Sequence, residues 1–254
     1  MPPKGLAILL GAGPATGAGI ARILAHPDHG NMAVALLARR GEALSSLKSS
    51  LQASTPQGAV FETFATDTSA DNLAGAFEAI KAHPSFAGLK LRVAIYNIKH
   101  SSKKPFLQET YAAFTESLET YAGGAFQFSQ LALRRFFDDH GPATLAEGVG
   151  KKGTLIFTGT LGALRCNAEF GAYGAGRASV RQLAQALARE MSAKGVHVVH
   201  AIANGRIEDA DGEAVQSGRS IAAEAVGKTY LWLSEQEPTL WTHEMDLRPA
   251  QEKF

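Results

Sequence analysis

Tyr173 and Arg177 stand four residues apart in Tyr173-Gly174-Ala175-Gly176-Arg177, where a helical pattern begins, so a phenol and a guanidinium share one helix face. A free phenol ionises at about pH 10, and a fixed cation beside it favours the phenolate, which eases giving and recovering a proton nearer neutrality, at about 1.4 kcal/mol per pH unit. Thirteen residues upstream, Thr160 follows the apolar run Thr154 to Thr158, at the edge where a parallel sheet opens its ligand crevice. A hydroxyl there can polarise a carbonyl by donating a hydrogen bond. Together the three side-chain types support proton donation to a polarised carbonyl. In isolation each has a plainer reading: a tyrosine packed at a helix start, a surface arginine and a turn threonine.

A second chemistry lies near the N-terminus. The apolar run Leu6 to Leu10 leads into Gly11-Ala12-Gly13-Pro14-Ala15-Thr16-Gly17-Ala18-Gly19-Ile20 and then an amphipathic helical pattern. Glycines at 13, 17 and 19 let the backbone turn tightly and present helix N–H groups, with the positive end of the helix dipole, to a pyrophosphate. Met32 to Ala38 reads as the next buried strand and closes a βαβ unit. A site for NAD usually has Asp or Glu at its end to accept from the ribose 2'-hydroxyl; here Ala38 is followed by Arg39 and Arg40. Guanidinium donors suit a 2'-phosphate, so the expected cofactor is NADP(H). The competing reading is that the two arginines only solvate a helix start.

The elements that must position these groups recur regularly. Candidate strands fall at 6–10, 32–38, 59–64, 91–96, 154–158, 196–202 and 243–247, with helical patterns between them, which implies a parallel sheet covered on both faces. Residues 111–137 read as one long buried helix, residues 173–193 as another, and 138–152 as a surface loop containing a helical turn. With 254 residues, 45% of them apolar, and no linker composition, a single domain over 1–254 is expected. The formal net charge of +1 gives no attraction to nucleic acid or to an anionic membrane. No stretch approaches a membrane span, and Met1-Pro2-Pro3-Lys4 lacks the apolar region of a signal peptide, so a cytoplasmic location is expected. The single cysteine, Cys166, rules out an internal disulfide and a cysteine metal site. It reads as a small buried hydrophobe or as part of a substrate pocket. His26, His29, His83, His100 and His140 show no ligand spacing, so no metal is expected.

From Leu6 to about Gly205 the chain resembles the short-chain dehydrogenase/reductase family. The glycine motif matches Gly13, Gly17 and Gly19, Asp67 in Thr66-Asp67-Thr68 matches the adenine contact, and Asn97 is kept from the Asn-Asn-Ala-Gly run, here Tyr96-Asn97-Ile98-Lys99. The catalytic serine falls on Thr160 and Tyr-x-x-x-Lys on Tyr173 and Arg177. The helix asparagine falls on Tyr121, and Asp209 stands where a threonine contacts the nicotinamide amide. The resemblance implies a doubly wound Rossmann-type α/β domain of about seven parallel strands and a substrate lid near 205–222. It implies cofactor contacts from Gly13, Ala15, Thr16, Gly17, Ala18, Gly19, Arg39, Asp67, Asn97, Tyr173, Arg177, Gly205 and Ile207. It also implies a small-molecule substrate and a homodimer or homotetramer built on the long helices. In the family the lysine binds ribose, lowers the tyrosine pKa and joins a relay through water held by the asparagine. Arg177 keeps the charge but is bulky, planar and no proton carrier, and Tyr121 removes the amide. Lys99 and His100, just beyond strand four, are candidate substitutes. The tail Trp241 to Pro249 resembles one found in a divergent subgroup; by its pattern it is a last strand with Trp241 and Leu247 packed and the acids exposed.

Two functions follow as expectations. One is NADPH-dependent reduction of a ketone or aldehyde, with Tyr173 giving the proton, Thr160 orienting the oxygen and Arg177 holding ribose. The other is an NADP(H)-binding sensor or subunit with lost or altered redox chemistry; an imine reductase or another biosynthetic step would use the same pocket.

Overall fold

The computed structural model describes residues 2–100 and 102–252. Among the described residues nine strands form: β1 (Leu6–Leu10), β2 (Ala33–Ala38), β3 (Phe61–Ala65), β4 (Leu91–Tyr96), β5 (Gly153–Gly159), β6 (Val196–Ala203), β7 (Ile207–Glu208), β8 (Ile221–Ala222) and β9 (Glu244–Leu247). Seven of them make one sheet in the order β3-β2-β1-β4-β5-β6-β9, every pair parallel, while β7 and β8 pair separately. The order reverses between β1 and β4, and the carboxyl ends of the strands there open the crevice in which such sheets bind ligands.

Among the described residues eight α-helices connect the strands: α1 (Thr16–Ala25), α2 (Gly41–Ser54), α3 (Ala70–Ala82), α4 (Tyr111–Leu118), α5 (Gly124–His140), α6 (Gly171–Met191), α7 (Glu213–Gln216) and α8 (Ala223–Glu235). Successive strand residues point to opposite faces, which explains why strands covered on both sides read as unbroken apolar runs. Leu6, Ile8 and Leu10 join Phe77 of α3, Phe128 and Phe136 of α5 and Val180 of α6 in one core. Ala7 and Leu9 join Ile20 and Leu24 of α1, Leu47 of α2 and Val226 and Tyr230 of α8 in the other. Both clusters run the length of the sheet, one on each face, so the loops at its carboxyl edge rest on buried apolar packing.

The stretch 111–137 differs from its expected single helix. Residues Glu119–Gly123 form a π-helical turn between α4 and α5, and Tyr121 within it is fully buried. The insertion of a wider turn lets two helices follow one another without sharing a single apolar stripe. Residues 138–152 hold the expected loop with a helical turn, a 3₁₀ turn at Leu145–Glu147, but α5 continues to His140 and Lys152 is fully buried with its Nζ donating to the Ala143 carbonyl. Trp241 and Leu247 are half-buried and Glu244 and Asp246 exposed, as the alternation of the tail requires.

Candidate active site

The glycine turn is held from beneath. Gly11 adopts φ +93°, and a Cβ there would sit 2.2 Å from the Asn97 carbonyl oxygen. Asn97 fixes this approach by donating its side-chain amide to the Gly11 carbonyl at 2.9 Å and its backbone N–H to Leu10 at 2.8 Å. Gly17 lies against the Ala12 backbone, where a Cβ would approach to 2.9 Å, and Gly19 against the Ala223 backbone of α8, to 2.2 Å. These two glycines are required by packing. Gly13 is different: nothing lies within 4 Å of where its Cβ would be, so it borders open space. Beyond it α1 starts at Thr16, with Ala15 at the cap position and no side chain bonded to the helix end. Ala18 is buried, so the strip 15–19 offers a ligand its backbone more than its side chains.

At the end of β2 a surface cleft of about 290 Å³ is lined by Arg39, Ala65, Thr66, Asp67 and Asn72. Arg39 is exposed there, whereas Arg40 takes the cap position of α2. Asp67 Oδ1 accepts from the Ser69 hydroxyl at 2.6 Å, the Ser69 N–H at 2.9 Å and the Asn72 amide at 3.0 Å, and these bonds hold its carboxyl below the ordinary carboxylate range.

The candidate proton-donor group assembles just past β5 and at the start of α6. The Thr160 and Tyr173 hydroxyls lie 2.6 Å apart. Gly162 makes this possible, because a Cβ on it would reach 2.4 Å from the Tyr173 ring. The turn 160–163 is pinned by the Leu161 N–H donating to Asn204 Oδ1 at 3.0 Å. Arg177 is buried, at 5% exposure, and Nη1 donates to the Thr158 carbonyl at 3.0 Å. Its guanidinium carbon lies 4.4 Å from the Tyr121 ring centre and 5.4 Å from that of Tyr173. The Tyr121 hydroxyl donates to the His100 carbonyl and accepts from the His100 N–H at 2.8 Å. Burial raises the Tyr121 pKa and keeps it a neutral phenol. Lys99 is exposed, and Cys166, contrary to the expectation of a buried hydrophobe, is exposed too.

Asp209 lies in an ion pair rather than free at the crevice. Its two oxygens accept from Nη1 and Nη2 of Arg22 on α1, at 2.8 and 2.9 Å. Gly205, at φ +133°, packs against Pro249, and Ile207 pairs with Ile221 through the β7–β8 ladder. The segment 205–222 is further tied to the tail, with Gln251 bonding Ser217 and Gly218.

Several polar groups here gave no usable signal in the sequence. His200 is fully buried beneath the site, its Nδ1 lying 3.2 Å from Glu244, which Arg181 of α6 grips with two bonds. Desolvation lowers the His200 pKa. Gly159 gives the ring room, since a Cβ would meet Nε2 at 2.3 Å. On the other face the Tyr230 hydroxyl meets the Thr158 hydroxyl at 2.9 Å. Such contacts depend on strand register, which spacing along the chain does not reveal. Among the described residues no group of three or more His, Cys, Asp or Glu could hold a metal ion, and no helix is long and apolar enough to cross a membrane.

The doubly wound parallel sheet has a glycine turn opening at its switch point and a Thr–Tyr hydroxyl pair at its carboxyl edge, which together define a Rossmann-type α/β fold with a crevice lined by hydroxyls. A profile described as short chain dehydrogenase matches residues 6–217. The chain therefore belongs to the short-chain dehydrogenase family, whose members are oxidoreductases. Among solved structures it is similar to a short-chain dehydrogenase from Rhodopseudomonas palustris, with 26% identity, a TM-score of 0.77, and coverage of 98% of this chain and 100% of that one. Two others share the fold at lower identity. One is the NADPH-bound short-chain oxidoreductase of Pseudomonas aeruginosa PAO1 with an atypical catalytic centre, at 19% identity, TM-score 0.78, and 98% and 97% coverage. The other is the L-sorbose reductase of Gluconobacter frateurii complexed with NADPH and L-sorbose, at 14% identity, TM-score 0.78, and 99% and 98% coverage. No curated protein matches the sequence.

Proposed function

We propose that the protein is an NADP(H)-dependent reductase of a small ketone or aldehyde, with Tyr173 as proton donor. The observation that carries this reading is the 2.6 Å contact between the Thr160 and Tyr173 hydroxyls at the carboxyl edge of the sheet, with the Arg177 cation against the Tyr173 ring. The residues present fit the cofactor. Gly13 leaves open the space through which a pyrophosphate would approach the uncapped start of α1. Arg39 stands at the end of β2 beside Asp67, where a ribose 2'-phosphate would find a guanidinium. Solved structures of the same fold bound to NADPH add support.

Reduced cofactor, when bound, supplies a hydride. The chain's own residues do the rest. The hydroxyls of Thr160 and Tyr173 converge, so a carbonyl oxygen seated between them would receive a hydrogen bond from one and the proton from the other. The phenolate left on Tyr173 would be offset by the guanidinium of Arg177, which lies in low-dielectric surroundings where charges act strongly. Since Nη1 of Arg177 is committed to the Thr158 carbonyl, any ribose contact falls to the remainder of the guanidinium. The segment 205–222 would close over the substrate, tied back through Arg22–Asp209. Assembly as a homodimer or homotetramer through α5 and α6 belongs to the same proposal, and the half-exposed Phe126 on α5 accords with it.

The test is NADPH oxidation against a carbonyl panel by wild type and Tyr173→Phe. Loss of a general acid should lower kcat on the order of 10²-fold or more while NADPH affinity stays within about twofold. Tight NADPH binding with no turnover of any carbonyl would instead assign the sensor or subunit reading.

A further inference from the structure

Arg177 and Tyr121 are in contact in a way that neither position reveals by itself. The guanidinium of Arg177 lies over the Tyr121 ring at 4.4 Å, closer than its 5.4 Å to the Tyr173 ring, and the two rings meet edge to face at 6.2 Å. The Tyr121 ring cannot drift. Its hydroxyl is bonded to both backbone groups of His100, its edge rests against Gly176, where a Cβ would come within 2.5 Å, and it is fully buried in the π-helical turn between α4 and α5. Arg177 for its part has one anchoring bond, from Nη1 to the Thr158 carbonyl, while its buried Nε has no hydrogen-bond partner. One hydrogen bond leaves a flat cation free to swing, and the face of a fixed ring removes that freedom.

We propose that Tyr121 is a positioning residue: its ring is the platform that holds the Arg177 guanidinium against Tyr173, so Tyr121 and Arg177 work as a matched pair. This rests on the reductase reading for its catalytic consequence but not for its geometry. The pairing follows from chemistry. A guanidinium is planar and weakly hydrated and stacks on aromatic faces, whereas an ammonium is a compact, strongly hydrated charge that gains less from such a face when buried. The Tyr121 hydroxyl donates to the His100 carbonyl and accepts from the His100 N–H, so its proton is committed to that carbonyl, and the part it lays against the Arg177 guanidinium is its ring.

The geometry is tested on the full-length protein without nucleotide, ¹⁵N-labelled at arginine. The Arg177 Nε–Hε resonance, assigned by its loss in Arg177→Lys, should lie outside the main arginine envelope through ring currents and exchange slowly. A nuclear Overhauser contact between the Arg177 side chain and the Tyr121 ring should be present in the wild type, a measurement that needs no variant. Tyr121→Phe should keep the shifted resonance and Tyr121→Leu should return it to the envelope. Absence of the Overhauser contact, or an unchanged resonance in Tyr121→Leu, overturns the proposal. The consequence is tested by a kinetic cycle on NADPH-linked carbonyl reduction. Arg177→Lys and Tyr121→Leu should each lower kcat on the order of tenfold or more with little change in KM, and the double variant should fall no further than Arg177→Lys alone by more than about twofold. Losses that multiply overturn the positioning role. A wild type that turns over no carbonyl refutes the reductase reading instead, and the resonance and Overhauser measurements then decide the platform by themselves.

Discussion

Acid should weaken this fold through its buried imidazoles, and His197 shows the effect most clearly. His197 of β6 is fully buried, with Nδ1 3.1 Å from the Leu233 carbonyl, Nε2 2.8 Å from the Thr242 carbonyl, and Trp241 stacked on it at 5.1 Å. Desolvation lowers its pKa from 6.5 to about 4; the two carbonyls act in the opposite direction, and the neighbouring Lys151 and His243 add to the depression. Between those two values the unfolded chain binds a proton that the folded chain refuses, so stability rises with pH across the window. The full contribution is present above about pH 6.5, is lost as pH falls towards 4, and changes no further below that. At about 1.4 kcal/mol per pH unit the loss is about 3 kcal/mol. For a chain of this size that corresponds to roughly 6–12 °C in Tm. The assay is thermal unfolding of wild type and His197→Gln at intervals from pH 7 to 4. Carboxylates contribute to both slopes, so the difference between the two proteins isolates His197. The variant should start less stable and lose about 3 kcal/mol less than wild type on acidification. Equal slopes would refute the reasoning. A wild type that gains stability relative to the variant in acid would show that both carbonyls hold an imidazolium.

Gly19→Ala should lower stability by about 1–3 kcal/mol, read as a shift of the urea midpoint, because its Cβ would meet the Ala223 backbone at 2.2 Å and push α1 off α8; an unchanged midpoint would contradict the packing role. Asp209→Asn or Arg22→Ala removes the two-bonded tie between α1 and the segment 205–222, and cleavage within that segment by a low dose of protease should quicken while Tm moves little. Equal cleavage rates would show that the β7–β8 pairing and the Gln251 contacts hold the segment unaided.

What the sequence disclosed and what it hid divide along physical lines. The strands at 6–10 and 91–96 were legible to the residue, and those at 32–38 and 59–64 to within two; β1 and β2 stand out because residues buried on both faces leave unbroken apolar runs, whereas β3, with Glu62 and Thr63 only partly buried, does not. Tyr173 and Thr160 could be paired from their spacing read together with the resemblance to the short-chain dehydrogenase/reductase family, and their hydroxyls do meet. The π-helical turn at Glu119–Gly123 was not legible: its residues fit a regular helix by composition, and only the packing of Tyr121 under α6 makes the wider turn worthwhile. Arg177 could be read as a cation near Tyr173, yet its burial over Tyr121 joins residues fifty-six positions apart and depends on tertiary packing. The exposure of Cys166 and the capture of Asp209 by Arg22 belong to the same class, set by loop geometry that leaves no periodic trace.

The most direct test of the account is titration of the purified protein with NADPH and NADH, before and after Arg39→Ala, by calorimetry or by quenching of Trp232 and Trp241. The account predicts tight NADPH binding, weaker NADH binding, and a loss of about 10–100-fold for NADPH alone in the variant, the cost of about 1.5–3 kcal/mol for a hydrogen bond to a charged group. No binding of either nucleotide, or equal affinities indifferent to Arg39, would contradict it.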